Sequence, residues 1–411
     1  MVQVGHPSTL TSREQGVVAL ISVGHGITHY LHSIVLVVSP LIKQKFNLSY
    51  TELGFFFTIY TTGSFLSAVT GGPLADLTGR RQLLQVISIA TLSLSVLLLG
   101  FAEEFIILLI LGVLIAFSNQ LWHPAAIPYL SSRFHKHRGY VMSIHGMCSN
   151  IGDVLVPLVV PAMLTGNYII TQLEPMSWQN VMLINTLPGL MVLPPLMIRA
   201  LQERSNCSEE DGLNIRQYVT GIIEQGKNKT VLGIGLIAGL RTTAQSGSRN
   251  FLPVYLVDQF SWNLTQAGLA LLLLNLGGSF AAVPAGIFSD KHGRRKIMLV
   301  TIAAATLFIL LLPLLLDELL IVIGICLVGF SIYATRPVLL SWMMDTVDKE
   351  FQGTATSLMF ATQSAFSIPS MAITGIIADT YGIAAIFYWF AIMLLLANAV
   401  VFLLPKDKTQ R

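Results

Sequence analysis

Apolar stretches of about 20 residues, long enough to cross roughly 30 Å of hydrocarbon, recur from one end of this chain to the other. No other feature limits the fold as much. Backbone N–H and C=O groups inside a bilayer find no water, so a spanning segment must satisfy them within a helix or a closed barrel. Twelve helical spans follow, at approximately 16–41, 52–72, 82–101, 104–127, 140–164, 178–199, 230–257, 264–288, 297–315, 318–342, 353–378 and 381–404. Composition agrees: 53% of the 411 residues are hydrophobic and 11% charged, too little charge to cover a soluble surface of this size. The first apolar run, from near Val17 past Ser39, is too long for a cleavable signal segment. Cys148, Cys207 and Cys326 are scattered, with neither disulfide nor metal spacing.

One polar pattern is written twice between these spans. Gly72-Pro73-Leu74-Ala75-Asp76-Leu77-Thr78-Gly79-Arg80-Arg81 returns as Gly286-Ile287-Phe288-Ser289-Asp290-Lys291-His292-Gly293-Arg294-Arg295, 214 residues later. Sparser matches keep nearly the same offset: His123-Pro124 with Arg336-Pro337, Gly139 and Ser143 with Gly353 and Ser357, Pro40 with Pro253. A duplicated half points to a two-repeat transporter. The expected organisation is a six-helix half at 1–199, a polar linker at 200–229 and a second six-helix half at 230–411. Lys and Arg set the orientation: 19 fall on the side of the paired turns, only Lys43 and Lys45 on the other, and Arg241, Arg249 and Arg336 inside spans. Both termini and the linker are therefore expected in the cytoplasm, with the chain in the inner membrane.

The paired G-x-x-x-D-x-x-G-R-R turns resemble those of the major facilitator superfamily, and the resemblance covers essentially the whole chain. It implies the major facilitator fold: twelve transmembrane helices in two pseudo-symmetric six-helix halves. It also implies that Gly72, Asp76, Gly79, Arg80 and Arg81, with Gly286, Asp290, Gly293, Arg294 and Arg295, act as latches for the outward-facing state. Leu77 stands where a basic residue is usual, whereas the second copy has Lys291. A finer resemblance, to the fosmidomycin-resistance-like branch, rests on His25, Ser39-Pro40-Leu41, Phe46-Asn47-Leu48-Ser49, Trp122-His123-Pro124, Arg138-Gly139 and Gly146, Asn150 and Gly152. It implies efflux.

Ionisable groups at membrane depth are costly and mark candidate sites. His25, His29 and His32, spaced i, i+4, i+7, share one stripe of the first span. Imidazole changes charge near neutral pH, so the stripe is a candidate for proton carriage or solute binding. Asp153 is the one acid placed deep in the membrane, a candidate for proton coupling with His29. Arg241, Arg336 and His123 complete the expected cavity set. Arg249 is read as turning outward or pairing with Asp258. Fixed guanidinium charge suits an anionic solute.

The expected function is secondary active transport of a small anionic or amphiphilic organic solute by alternating access, as proton-coupled export, with no cofactor. Partners are that solute, protons and the lipid bilayer, in a monomer without nucleic acid. Alternatives are import or facilitated passage of an organic anion, and a metal carrier using His25, His29, His32, His123 and Asp153, which the cavity arginines oppose. A membrane metalloenzyme would need several histidine boxes, and the nine histidines here include no adjacent pair. No catalytic motif points to an enzyme.

Overall fold

The computed structural model describes residues 10–134, 137–166, 171–203, 227–347 and 352–404. Among them, twelve long helices follow in sequence: α1 (Ser12–Val37), α2 (Tyr50–Thr78), α3 (Arg81–Leu99), α4 (Phe105–Arg133), α5 (Arg138–Thr165), α6 (Trp178–Glu203), α7 (Lys229–Phe260), α8 (Leu264–His292), α9 (Arg294–Leu311), α10 (Glu318–Thr346), α11 (Gln352–Tyr381) and α12 (Ala385–Leu403). Eleven are long and apolar enough to cross a membrane. The exception is α7, whose 32 residues suffice in length but include Arg241, Gln245, Arg249 and Asn250. Most of the linker, 204–226, lies outside the described residues.

The helices begin where the sequence offers caps. Thr11 with Glu14, Ser49 with Glu52, and Asn263 with Gln266 form capping boxes at the starts of α1, α2 and α8. Each satisfies backbone donors that the first turn leaves without partners. Several helices outrun the apolar stretches that announced them; α2 continues to Thr78 and α4 to Arg133. Hydropathy marks where hydrocarbon contact ends, and the hydrogen-bond ladder continues into polar residues. The first span differs in another way. It stops at Val37, and after Val38 a seven-residue helix, Ser39–Lys45, starts with Pro40 in its first turn. Proline cannot donate to the preceding turn but fits a helix start, so the chain breaks there.

Within the first half α1 packs on α5 and α2 on α4; within the second, α8 packs on α10 and α11 on α7. The halves meet where α2 runs along α11 and α5 along α8. The α2–α11 seam is tight because it is backbone against backbone. A methyl group added at Gly54 would lie 2.5 Å from the Met371 carbonyl oxygen, and one at Gly375 would lie 2.3 Å from that of Tyr50. Asp379 of α11 accepts from the backbone N–H groups of Tyr50 and Thr51, at 3.0 and 2.7 Å, capping α2 from the opposite half. Asp258 of α7 accepts from the Tyr50 hydroxyl at 2.8 Å and pairs with Lys43 at 3.1 Å. Thr165 and Thr265 join α5 to α8 at 3.0 Å.

All these contacts lie at the end remote from the paired turns. At the turn end, a Cβ placed on Gly72 or Gly286 would meet nothing within 4 Å. Among the described residues, the contacts between the halves named above thus gather at the end remote from the turns. Gly375→Leu should lower the thermal unfolding temperature of the detergent-purified protein by several degrees. The added side chain meets fixed backbone, and overpacking of this kind costs about 1–3 kcal/mol. Gly286→Ala, facing open space, should leave it unchanged.

Candidate functional site

The polar residues that the helices carry at mid-height converge on Asp153 of α5. His29 Nδ1 lies 3.0 Å from its Oδ2, and the Ser33 hydroxyl donates to Oδ1 at 2.6 Å. Arg249 of α7 crosses from the other half, donating to Asp153 Oδ1 and to Ser33 Oγ, each at 2.8 Å. One carboxylate thus gathers α1, α5 and α7. Its side chain and those of His29 and Arg249 are each about a fifth exposed: 18, 21 and 24%. Arg249 therefore does not pair with Asp258, which is held instead by Lys43 and Tyr50 at the end remote from the turns. Arg249 lies one turn or more deeper in α7 than that end, within reach of the lone mid-membrane acid.

Beside this pair stands a group of histidines. His25 and His29 meet edge to face at 4.8 Å between ring centroids, and His123 of α4 lies 5.0 Å from His25 and 5.7 Å from His29. His145 of α5 stacks flat on His25, 3.9 Å away and 12° from parallel, and its carbonyl oxygen accepts from His25 Nδ1 at 2.9 Å. One nitrogen from each of His25, His29 and His123 lies within 4.8 Å of the other two, the spacing of a possible metal-binding group. The third residue of the stripe is placed apart. The His32 ring lies 5.3 Å from that of Tyr60, whose hydroxyl donates to the His32 carbonyl.

On the second half, Arg336 of α10 is exposed although it lies mid-helix, and it is within electrostatic reach of both His123 and Arg241. Arg241 sits deeper, 2% exposed, bonded to Gln245 one turn along α7 and 3.5 Å from the Ile332 carbonyl oxygen. Of the two, Arg336 presents its charge to the space between the halves.

At the second paired turn, Arg294 bonds Asp290 and Ser289 of α8 and reaches Asp345 of α10 at 2.9 Å. Arg295 donates to the carbonyl oxygens of Val401 and Phe402 in α12. Asp348, Lys349 and Glu350, which follow in sequence, lie outside the described residues. At the first turn Arg80 is exposed, and the side chain of Asp76 lies outside the described residues. The second glycine of each turn has a clear backbone role. Gly79 and Gly293 have φ of 62° and 90°, values that a side chain disfavours.

The sequence reading did not single out Ser33, His145 or Gln245. Ser33 was accessible to it, four residues beyond His29 on the same stripe. His145 was a further histidine inside a span.

Comparison with known proteins decides the family. The model of the Major Facilitator Superfamily matches residues 21–223 and 234–411. The chain belongs to the Major Facilitator Superfamily. Among its superfamily relatives is the fosmidomycin resistance protein of Escherichia coli (strain K12), 22% identical over 394 residues, spanning 94% of this chain and 92% of that protein. Another, the MFS-type transporter YfnC of Bacillus subtilis (strain 168), is 21% identical over 400 residues, spanning 96% and 94%. A bacterial homologue of the human lysosomal transporter Spinster, in an inward-facing and occupied conformation, superposes with a TM-score of 0.80 at 16% identity, covering 96% and 97%. A D-xylose–proton symporter gives 0.76 at 13% identity, covering 96% and 99%. This superfamily protein is thus a multi-pass membrane transporter of small molecules.

Breaking the pair should cost more than removing it. Arg249→Gln leaves Asp153 without its counter-charge, a loss of about 3 kcal/mol for a largely desolvated pair. Combining it with Asp153→Asn should recover most of that. Thermal unfolding of the two single variants and the double variant checks the non-additivity.

Proposed function

We propose that this transporter exports a small anionic or amphiphilic organic solute by alternating access, driven by proton entry. The observation that carries the reading is the Asp153–Arg249 ion pair, which joins the two halves at mid-height through the one deep acid. Protonating Asp153 removes the charge that holds Arg249 and accepts from His29 and Ser33. The same event frees a guanidinium for an anion and loosens the first half from the second. In the conformation described the pair is made, as suits a carboxylate that has already given up its proton. With its Nε2 unoccupied, His29, in contact with Asp153, is the nearest relay, with His25 behind it.

The solute is held between the halves by Arg336, with Arg241 adding positive charge from beneath and His123 and His32 lining the first half. The halves 1–199 and 230–411 rock about this level, tethered by 200–229. Export is the direction suggested by the name of the fosmidomycin resistance relative. The excess of Lys and Arg on the turn side supports an inner-membrane protein with both termini and the turns in the cytoplasm. The turns, Gly72 to Arg81 and Gly286 to Arg295, act as latches when the cytoplasmic face closes, and the transporter works as a monomer.

In proteoliposomes, pH-gradient-driven flux of an organic anion should be abolished by Asp153→Asn while counterflow without a gradient persists. Undiminished gradient-driven flux would remove Asp153 from the mechanism. Arg336→Gln should raise the KM for the anion about tenfold or more, the loss of one charge-assisted contact worth roughly 1.5–3 kcal/mol.

A further inference from the structure

We propose that His25, His29 and His123 form a binding site for a first-row divalent transition-metal ion, with Nε2 of His25 and Nε2 of His29 among its ligands. The hydrogen bonds fix which nitrogens are available. His25 Nδ1 faces a carbonyl oxygen and His29 Nδ1 faces a carboxylate, and neither acceptor carries a proton to give. Each Nδ1 must therefore be the donor, which leaves the lone pair of the neutral ring on Nε2. Both Nε2 atoms are buried without a hydrogen-bond partner. Two buried acceptors with no donor between them form an arrangement that a cationic Lewis acid satisfies and packing alone does not.

Three further features fit an ion. A carboxylate or carbonyl behind the distal nitrogen is how ligating histidines are oriented and made more basic, and here one of each is in place. The His145 ring lies flat against His25 and fixes its plane. One nitrogen of each of the three rings lies within 4.8 Å of the others, whereas a tetrahedral ion with bonds of about 2.0–2.1 Å wants roughly 3.3 Å between its ligands. Small side-chain rotations close that gap, because His123 and His29 are only half-buried.

Charge does not exclude the ion. Arg249, bonded to the carboxylate that holds His29 Nδ1, is neutralised by Asp153. Arg336 is the opposing charge, and it belongs to the other half. All three ligands come from α1 and α4 of one half, so rocking carries the site intact. A set of imidazoles without a carboxylate ligand selects zinc, copper, nickel or cobalt over magnesium or calcium.

The test uses full-length, tag-free protein in detergent, stripped with chelator and titrated with Co2+. One equivalent per chain should bind, with the visible ligand-field absorption of a low-coordinate nitrogen site. Zn2+ should displace it and Mg2+ should not. His25→Gln and His29→Gln should each weaken binding at least tenfold, and His32→Gln, outside the cluster, should not. A wild-type protein that gives no such absorption overturns the proposal without reference to any variant. Equal affinity across the monodisperse variants overturns it as well. Gradient-driven flux measured in chelator tests the transport reading separately, since flux that persists without metal leaves that reading standing whichever way the Co2+ titration falls.

Discussion

A carboxylate placed in hydrocarbon costs several kcal/mol unless something in the protein answers its charge, and the centre of this molecule is organised around that requirement. Asp153 is answered by Arg249 from the other half, by Ser33 and by His29. Those three partners fix the faces that α1 and α7 turn inward. The same rule explains why α7 is less apolar than its neighbours: it lies between the halves, where its polar groups find partners other than lipid. The backbone obeys a related constraint, met by unbroken helices and by caps that borrow side chains. At the end remote from the paired turns this borrowing reaches across the interface, with Asp379 capping a helix of the opposite half.

Much of this was legible in the chain itself. Twelve spans, the duplication and the family follow from apolar length and from the repeated turn, because those signals are local and each residue carries its share. Asp153, His25, His29 and His123 were also legible, since an ionisable residue in an apolar stretch stands out against its surroundings. Partner choice was not. Arg249 has Asp258 nine residues away in sequence and Asp153 in the other half, and only the relative depth of α5 and α7 decides between them. The different environments of Arg241 and Arg336 were equally hidden. Both are arginines within spans, and what separates them is whether Gln245 and the Ile332 carbonyl are close enough to pull the guanidinium inward. The break at Val38 was written in Pro40 but masked by continuous hydropathy on either side.

The two paired turns share their two glycines, their aspartate and both arginines. The second is knitted by Arg294 and Arg295 into α8, α10 and α12 of its own half. The shared second glycine specifies the bend, since Gly79 and Gly293 both lie at positive φ. The histidine group shows a similar layering. Its geometry is set by neighbours that hold one nitrogen of each ring, so its chemistry depends on atoms other than those that would touch a ligand.

The glycine seam between α2 and α11 has a mechanical meaning. It presses α2 and α11 together, backbone against backbone, near the end remote from the paired turns. A helix of 29 residues is roughly 44 Å long, and a tilt of about 10° at one end sweeps its far tip through about 8 Å. Adjustments at Gly54 and Gly375 small enough to preserve van der Waals contact are thus magnified at the far ends of the two helices. The seam is the short arm of a lever whose long arm ends at the paired turns.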